Sequence, residues 1–128
     1  MPTLAGPSAV LVSIVDDDAS VRRALRRMVE SAGYTVRTFG SGSEVLDGDL
    51  PGGIACLVVD VYLGDMTGFE LQRRLTARGV DLPTIFITAH DDALTSERAR
   101  HARAAGYFLK PVEGDVLVDA ISAALAAR

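Results

Sequence analysis

A chain of 128 residues, 48% hydrophobic and 23% charged, has the size and balance of one globular domain able to bury its own core. Its net charge of −4 speaks against nucleic-acid binding through an overall field. The single cysteine excludes an intramolecular disulfide and a cysteine metal cluster, and no apolar stretch approaches the ~20 residues that cross a bilayer.

Five apolar runs alternate with five helical patterns. Residues 1–8, with Pro2, Gly6 and Pro7, are expected to form a loose tail. The first run, Ala9–Val15, empties into Asp16, Asp17 and Asp18. No Lys or Arg precedes Arg22, so the basic flank of a signal peptide is missing and a cytoplasmic location is expected. Val21, Leu25, Met28, Val29 and Ala32 recur at helical spacing, with Gly33 as the stop. Arg22, Arg23, Arg26 and Arg27 fall on the polar face of this helix and are expected to be no more than solvated. Tyr34–Phe39 is the second run, and Ser41–Asp47 a short second helix. Ile54–Val59 is the third run, and Cys56 within it is expected to be inert core. Leu71 and Leu75, with Phe69 a turn earlier, mark a third helix stopped at Gly79.

Thr84–Ile87 is the fourth run. The helix expected from Asp92 to Ala105 differs from the others: Leu94 is its only large apolar residue, the rest of its inner face is alanine, and Arg98, Arg100 and Arg103 decorate it. With so little apolar area to bury, at ~25 cal/mol per Å², it is expected to hold its position least firmly. Tyr107–Leu109 is the fifth run, and Leu117, Ile121 and Leu125, flanked by Val116, Ala120 and Ala124, give the last helix. Short, β-branched runs alternating with helices predict an α/β, flavodoxin-like (βα)5 fold. This is a doubly wound parallel sheet of strand order 2-1-3-4-5, in a single domain over 9–126 with no output domain.

In that order the first and third strands are neighbours, so Asp16, Asp17 and Asp60 meet at the carboxyl edge of the sheet. Carboxylates within ~4–6 Å disfavour one another's ionisation unless something neutralises them. Mg²⁺ (or Mn²⁺) suits such a site, since it takes one or two carboxylates and leaves positions for waters and phosphate oxygens. Lys110, after the fifth strand, brings a mobile positive charge to the same edge, and Thr88, after the fourth, a hydroxyl. These groups suit phosphoryl transfer to a carboxylate, which asks of a protein mainly positioning and charge neutralisation, and Asp60 is left as the acceptor. Asp18 is expected only to cap the first helix, His90 to lie at the rim of the site, and His101 to be solvated.

Four motifs on successive strand ends, Ile14-Val15-Asp16-Asp17, Val59-Asp60 followed by Gly68, Ile87-Thr88-Ala89, and Phe108-Leu109-Lys110-Pro111, resemble the receiver domain of bacterial two-component response regulators. Within that CheY-like superfamily the likeness is to FixJ-type receivers and covers residues 9–126. The resemblance implies phosphorylation on Asp60 by a sensor histidine kinase or a phosphotransfer protein. It implies Mg²⁺ on Asp17, on Asp16 through a water, on Asp60 and on the backbone carbonyl of Tyr62. It also implies Thr88 and Lys110 on the phosphoryl oxygens, Tyr107 as an aromatic switch that follows Thr88, and Tyr62 and His90 as modulators of the phosphoryl group's lifetime. A cis Lys110-Pro111 peptide is implied too.

Such a receiver is no enzyme beyond its own phosphorylation and dephosphorylation. It signals through the surface of the fourth helix, fifth strand and fifth helix, through which it can pair with a second copy; neither nucleic acid nor membrane is a direct partner. Two positions depart from the family pattern. Gly64 replaces a common proline and is expected to loosen the loop after the acceptor. Val112 stands where an aromatic residue is frequent. Two other functions compete. An aspartate-nucleophile phosphatase of the haloacid dehalogenase type would need a second Asp where Tyr62 stands. A flavodoxin-like nucleotide or flavin binder would bring a phosphate against Asp16, Asp17 and Asp18.

Overall fold

The computed structural model describes residues 10–48 and 54–127, so the expected tail over 1–8 lies outside the described residues. Among the described residues five strands alternate with five helices: β1 (Leu11–Val15), α1 (Ala19–Ser31), β2 (Thr35–Phe39), α2 (Gly42–Asp47), β3 (Ile54–Asp60), α3 (Gly68–Ala77), β4 (Thr84–Thr88), α4 (Ala93–His101), β5 (Gly106–Leu109) and α5 (Gly114–Ala126). All pairings are parallel and the order is β2-β1-β3-β4-β5, the doubly wound order expected.

The period-2 alternation of the strands divides the core in two. Val15, Phe39, Leu57, Val59 and Phe86 face one side, where α2, α3 and α4 cover them through Val45, Leu46, Phe69, Leu71, Leu75 and Ala99. Val12, Ile14, Cys56, Val58, Ile85 and Ile87 face the other, under Leu25 and Val29 of α1 and Leu117 and Ile121 of α5. Cys56 is fully buried, as expected, and Val112 is buried in this second cluster.

Side chains from just outside the helices fix where they begin. Asp18 caps α1 by accepting from the N–H groups of Ser20 (2.8 Å) and Val21 (3.2 Å), Thr67 caps α3 by accepting from Glu70 N–H (3.1 Å), and Asp92 caps α4 by accepting from Thr95 N–H (2.7 Å). Gly33 and Gly79, at φ +97° and +82°, turn the chain out of α1 and α3 as their positions predict.

Helix α4 departs from expectation in length and in orientation. It ends at His101 rather than Ala105, and Arg103 then takes the left-handed conformation at φ 56°. Leu94 does not face the sheet: it is 65% exposed, and the buried positions are Thr95 and Ala99. With Thr95 and Ala99 turned inward, the neighbouring Leu94 is carried about 100° round the axis toward solvent. The inner face is therefore even thinner in apolar area than the sequence suggests.

Candidate functional site

Register brings the acids together. Val15 of β1 pairs with Val59 of β3, so the next residues, Asp16 and Asp60, emerge side by side; Asp60 pairs in turn with Ile87, one residue before Thr88, and Thr88 with Leu109, one residue before Lys110. Asp16 is fully buried, Asp60 is 6% exposed and Asp17 lies open to solvent. One carboxylate oxygen from each lies within 4.8 Å of the others. Lys110 reaches over them, with Nζ 2.7 Å from Asp16 Oδ2 and 2.9 Å from Asp60 Oδ2. The Asp60 contact is a well-directed hydrogen bond, whereas that to Asp16 Oδ2 is a close ion pair.

Asp16 Oδ1 accepts from Asp18 N–H at 2.9 Å, and Asp60 Oδ1 from Tyr62 N–H at 3.3 Å. Burial raises the Asp60 carboxyl above its ordinary pKa and the Asp16 charge adds to this; Lys110 and the Tyr62 N–H oppose it without cancelling it. For Lys110 the strongest single effect is burial, which disfavours the ammonium. The two carboxylates together outweigh it, so its pKa rises. Three carboxylates against one ammonium leave an excess of negative charge, and all the donors are hard oxygens. Three carboxylate oxygens this close together, in an excess of acid, fit a hard divalent cation.

Thr88 is buried at the end of β4, and its hydroxyl accepts from His90 N–H (3.0 Å) and donates to His90 O (3.1 Å) rather than to the acid cluster. Tyr107 turns its hydroxyl to Asp91 Oδ1, 3.2 Å away; burial first, and then this carboxylate, push its pKa up to about 12. Tyr62 and His90 flank the site, their rings edge to face at 6.4 Å. The Lys110-Pro111 peptide is cis. Gly68 is required sterically, because a Cβ there would lie 2.7 Å from the backbone oxygen of Asp60.

The loop after Asp60 is tied by hydrogen bonds within itself and to α2. Gly64 sits at φ +87°, which proline cannot adopt and other side chains rarely do. Leu63 N–H donates to Met66 O (3.1 Å) and Tyr62 bridges Thr67. Asp65 ties the loop to the start of α2, accepting from Ser43 Oγ (2.8 Å), Ser43 N–H (3.0 Å) and Gly42 N–H (3.2 Å).

Sequence reasoning missed Asp65, since its partners lie 22 and 23 residues away and no local spacing announces them. It also took Arg22 for a solvated residue, whereas its guanidinium donates to the backbone oxygen of Asp16 at 2.7 Å. The Ser43 hydroxyl and N–H hold the Asp65 carboxyl below the ordinary 3.8, so the tie stabilises the fold above that pH and fades as pH falls through the lowered folded-state value. Asp65→Ala should cost about 1 kcal/mol at pH 7, the worth of a helix cap at an exposed site. In chemical denaturation the difference from the parent should shrink below pH 3.8; a difference constant down to pH 2 would refute the tie.

A doubly wound parallel sheet with a carboxylate cluster under a lysine at its carboxyl edge is suited to receiving a phosphoryl group. The family model for the response regulator receiver domain matches residues 12–122. The transcriptional regulatory protein TdiR of Thauera aromatica is 40% identical over 119 residues, 93% of this chain and 52% of TdiR. FixJ of Azorhizobium caulinodans is 33% identical, over 93% of this chain and 56% of its own length. The crystal structure of FixJ-N superposes with a TM-score of 0.81 at 32% identity, over 94% of this chain and 97% of that one. The chain therefore belongs to the response regulator receiver domain family, and its function is two-component phosphorelay signalling. It spans about half the length of the curated relatives it matches. Neither the haloacid dehalogenase reading nor the nucleotide or flavin binder finds support among these matches.

Proposed function

We propose that Asp60 is the phosphoacceptor, taking its phosphoryl group from the phosphohistidine of a sensor histidine kinase or a phosphotransfer protein. The observation that carries this reading is the pairing of one lysine with two buried aspartates at the edge where β1, β3 and β5 end. An Asp60 carboxylate oxygen attacks phosphorus, the P–N bond of the donor breaks, the imidazole leaves and an acyl phosphate forms. Burial, which raises the Asp60 pKa, makes its carboxylate a more basic nucleophile than an exposed one. Lys110, already within 2.9 Å of Asp60, follows the new negative charge.

Asp16, Asp17, Asp60 and the Tyr62 backbone carbonyl would hold Mg²⁺ or Mn²⁺, which neutralises phosphoryl oxygens when bound. Thr88 turns its hydroxyl from His90 to the phosphoryl group, and Tyr107 releases Asp91 to follow it. The domain spans 9–126 and turns over no substrate besides its own phosphoryl group. The direct test is intact-mass spectrometry after incubation with a small phosphodonor and Mg²⁺.

The output follows from the weakest element. Phosphorylation adds roughly −1.5 to −2 charges at neutral pH, and α4, with only Thr95 and Ala99 buried, is the cheapest helix to displace. The surface of α4, β5 and α5 carries exposed Leu94, Leu109 and Val116 together with Arg98, Arg100 and Arg103, and is the face offered to a partner or to a second copy. Amide chemical shifts with and without a phosphoryl mimic should change most between residues 88 and 112. Larger changes in α1 or α2, away from the site, would exclude this route.

Tyr62 and His90 flank the path of water to the acyl phosphate. Replacing either should change the dephosphorylation rate while Asp60 remains the modified residue. Unchanged decay in both variants would place that control elsewhere.

No helix among the described residues is long and apolar enough to cross a membrane. The lack of direct nucleic-acid contact that we propose accords with the net charge of −4, and a cytoplasmic location accords with the receiver family. The relatives' names as transcriptional regulators point to gene control as the pathway's output.

A further inference from the structure

Little apolar packing holds α4, yet its first turn is held by polar contacts from two directions. Asp91, just before the helix, accepts from the Tyr107 hydroxyl at 3.2 Å. On the inner side Thr95, only 3% exposed, has its hydroxyl oxygen 3.4 Å from the hydroxyl of Tyr62. The Asp92 carboxylate is held below its ordinary pKa first by Thr95 N–H and then by the Thr95 hydroxyl. The two hydroxyls lie within hydrogen-bonding distance, and either can donate to the other. At its other end the same tyrosine donates its backbone N–H to Asp60 Oδ1 at 3.3 Å. One residue thus touches both the acceptor carboxylate and the helix most easily displaced.

We propose that Tyr62 is a positioning residue that tethers α4 to the acceptor loop: its N–H reads Asp60 and its hydroxyl holds Thr95. The two hydrogen bonds are long, at 3.3 and 3.4 Å, and so are weak enough to exchange. Phosphorylating Asp60 turns the carboxylate into an acyl phosphate, alters what the Tyr62 N–H donates to, and moves the backbone that carries the ring. The hydroxyl then leaves Thr95 and the first turn of α4 is freed. This route runs alongside that through Thr88 and Tyr107 and reaches the helix from its buried side. Its second half rests on the reading of Asp60 as the phosphoacceptor; its first half, the tether in the unmodified chain, does not.

The test is amide hydrogen exchange over residues 93–101 in the unphosphorylated full chain. Tyr62→Phe removes only a hydroxyl from a half-exposed ring, and Thr95→Val keeps the shape of the buried side chain. Each should raise exchange about 2-fold, the low end of the net worth of a hydrogen bond, as befits a long one. The double variant should exchange no faster than the faster single variant, because both remove the same bond, and Thr95→Ser should restore the parent rate. Parent-like exchange in Tyr62→Phe, or effects that multiply in the double variant, would overturn the tether. In the phosphorylated parent exchange over 93–101 should rise, and in phosphorylated Tyr62→Phe it should rise by a smaller factor; equal factors would overturn the coupling. Failure of the acceptor reading would show separately, as absence of a phosphoryl adduct on the parent chain.

Discussion

Incubated with acetyl phosphate and Mg²⁺, the chain should gain one phosphoryl group, and Asp60→Ala should gain none. The three acids of the cluster are not equivalent. Asp16 is fully buried, its Oδ1 is taken by Asp18 N–H and its Oδ2 faces Lys110. Asp17 is exposed and the Lys110 ammonium contacts the other two acids instead. Asp60 combines partial burial, a raised pKa and a lysine at 2.9 Å. Chelating the metal should suppress the adduct, since the excess of negative charge at the site would then repel the incoming donor. The bond formed should be cleaved by hydroxylamine, as an acyl phosphate is. A metal-independent adduct, or one that survives Asp60→Ala, would refute both the acceptor and the role of the cluster.

The largest stability effect should come from Lys110→Met. Its ammonium is the shared counter-charge of two buried carboxylates, and removing one partner of a buried ion pair typically costs 3–5 kcal/mol. Because the lysine side chain is 18% exposed and Asp60 can take up a proton, we expect the lower end, about 3 kcal/mol at pH 7. For a chain of this length that lowers the thermal midpoint by about 10 °C. The sign of the pH dependence follows from burial. Without lysine the folded-state pKa of Asp60 lies still further above its ordinary 3.8, so the variant's folded state gains stability as protons bind and loses it as pH rises through that pKa. The deficit should therefore be full at pH 7 and shrink toward pH 4. Thermal melts of metal-free protein at both values measure it. A deficit below about 1 kcal/mol at pH 7, or one that grows with acid, would mean that Lys110 is not the counter-charge of the pair.

What local chemistry controls was legible before any coordinates. The strands and four of the five helices follow from periodicity, and their ends from Asp18, Gly33 and Gly79, because capping and left-handed turns act within a few residues. Once the strand order is granted, Asp16, Asp60 and Lys110 must emerge at one edge, and the parallel register puts them there. The apolar count of α4 also foretold its thin attachment, though not its phase. Leu94, the natural candidate for its inner face, is outside, because Thr95 and Ala99 occupy that face.

By itself, then, the sequence determined the order of elements and which charged groups meet at the carboxyl edge of the sheet. Tertiary structure alone decided how those groups are held. Asp65 fastens the acceptor loop to α2 across 22 residues, Tyr62 meets Thr95 across 33 and Lys110 meets Asp60 across 50. Gly64 is a turn residue rather than a point of slack, and Arg22 is a donor to the chain beside Asp16 rather than a solvated charge. The physical reason is range. Backbone propensity and capping are set by neighbours in sequence, whereas a side-chain hydrogen bond over tens of residues exists only after the sheet has brought its two ends within about 3 Å.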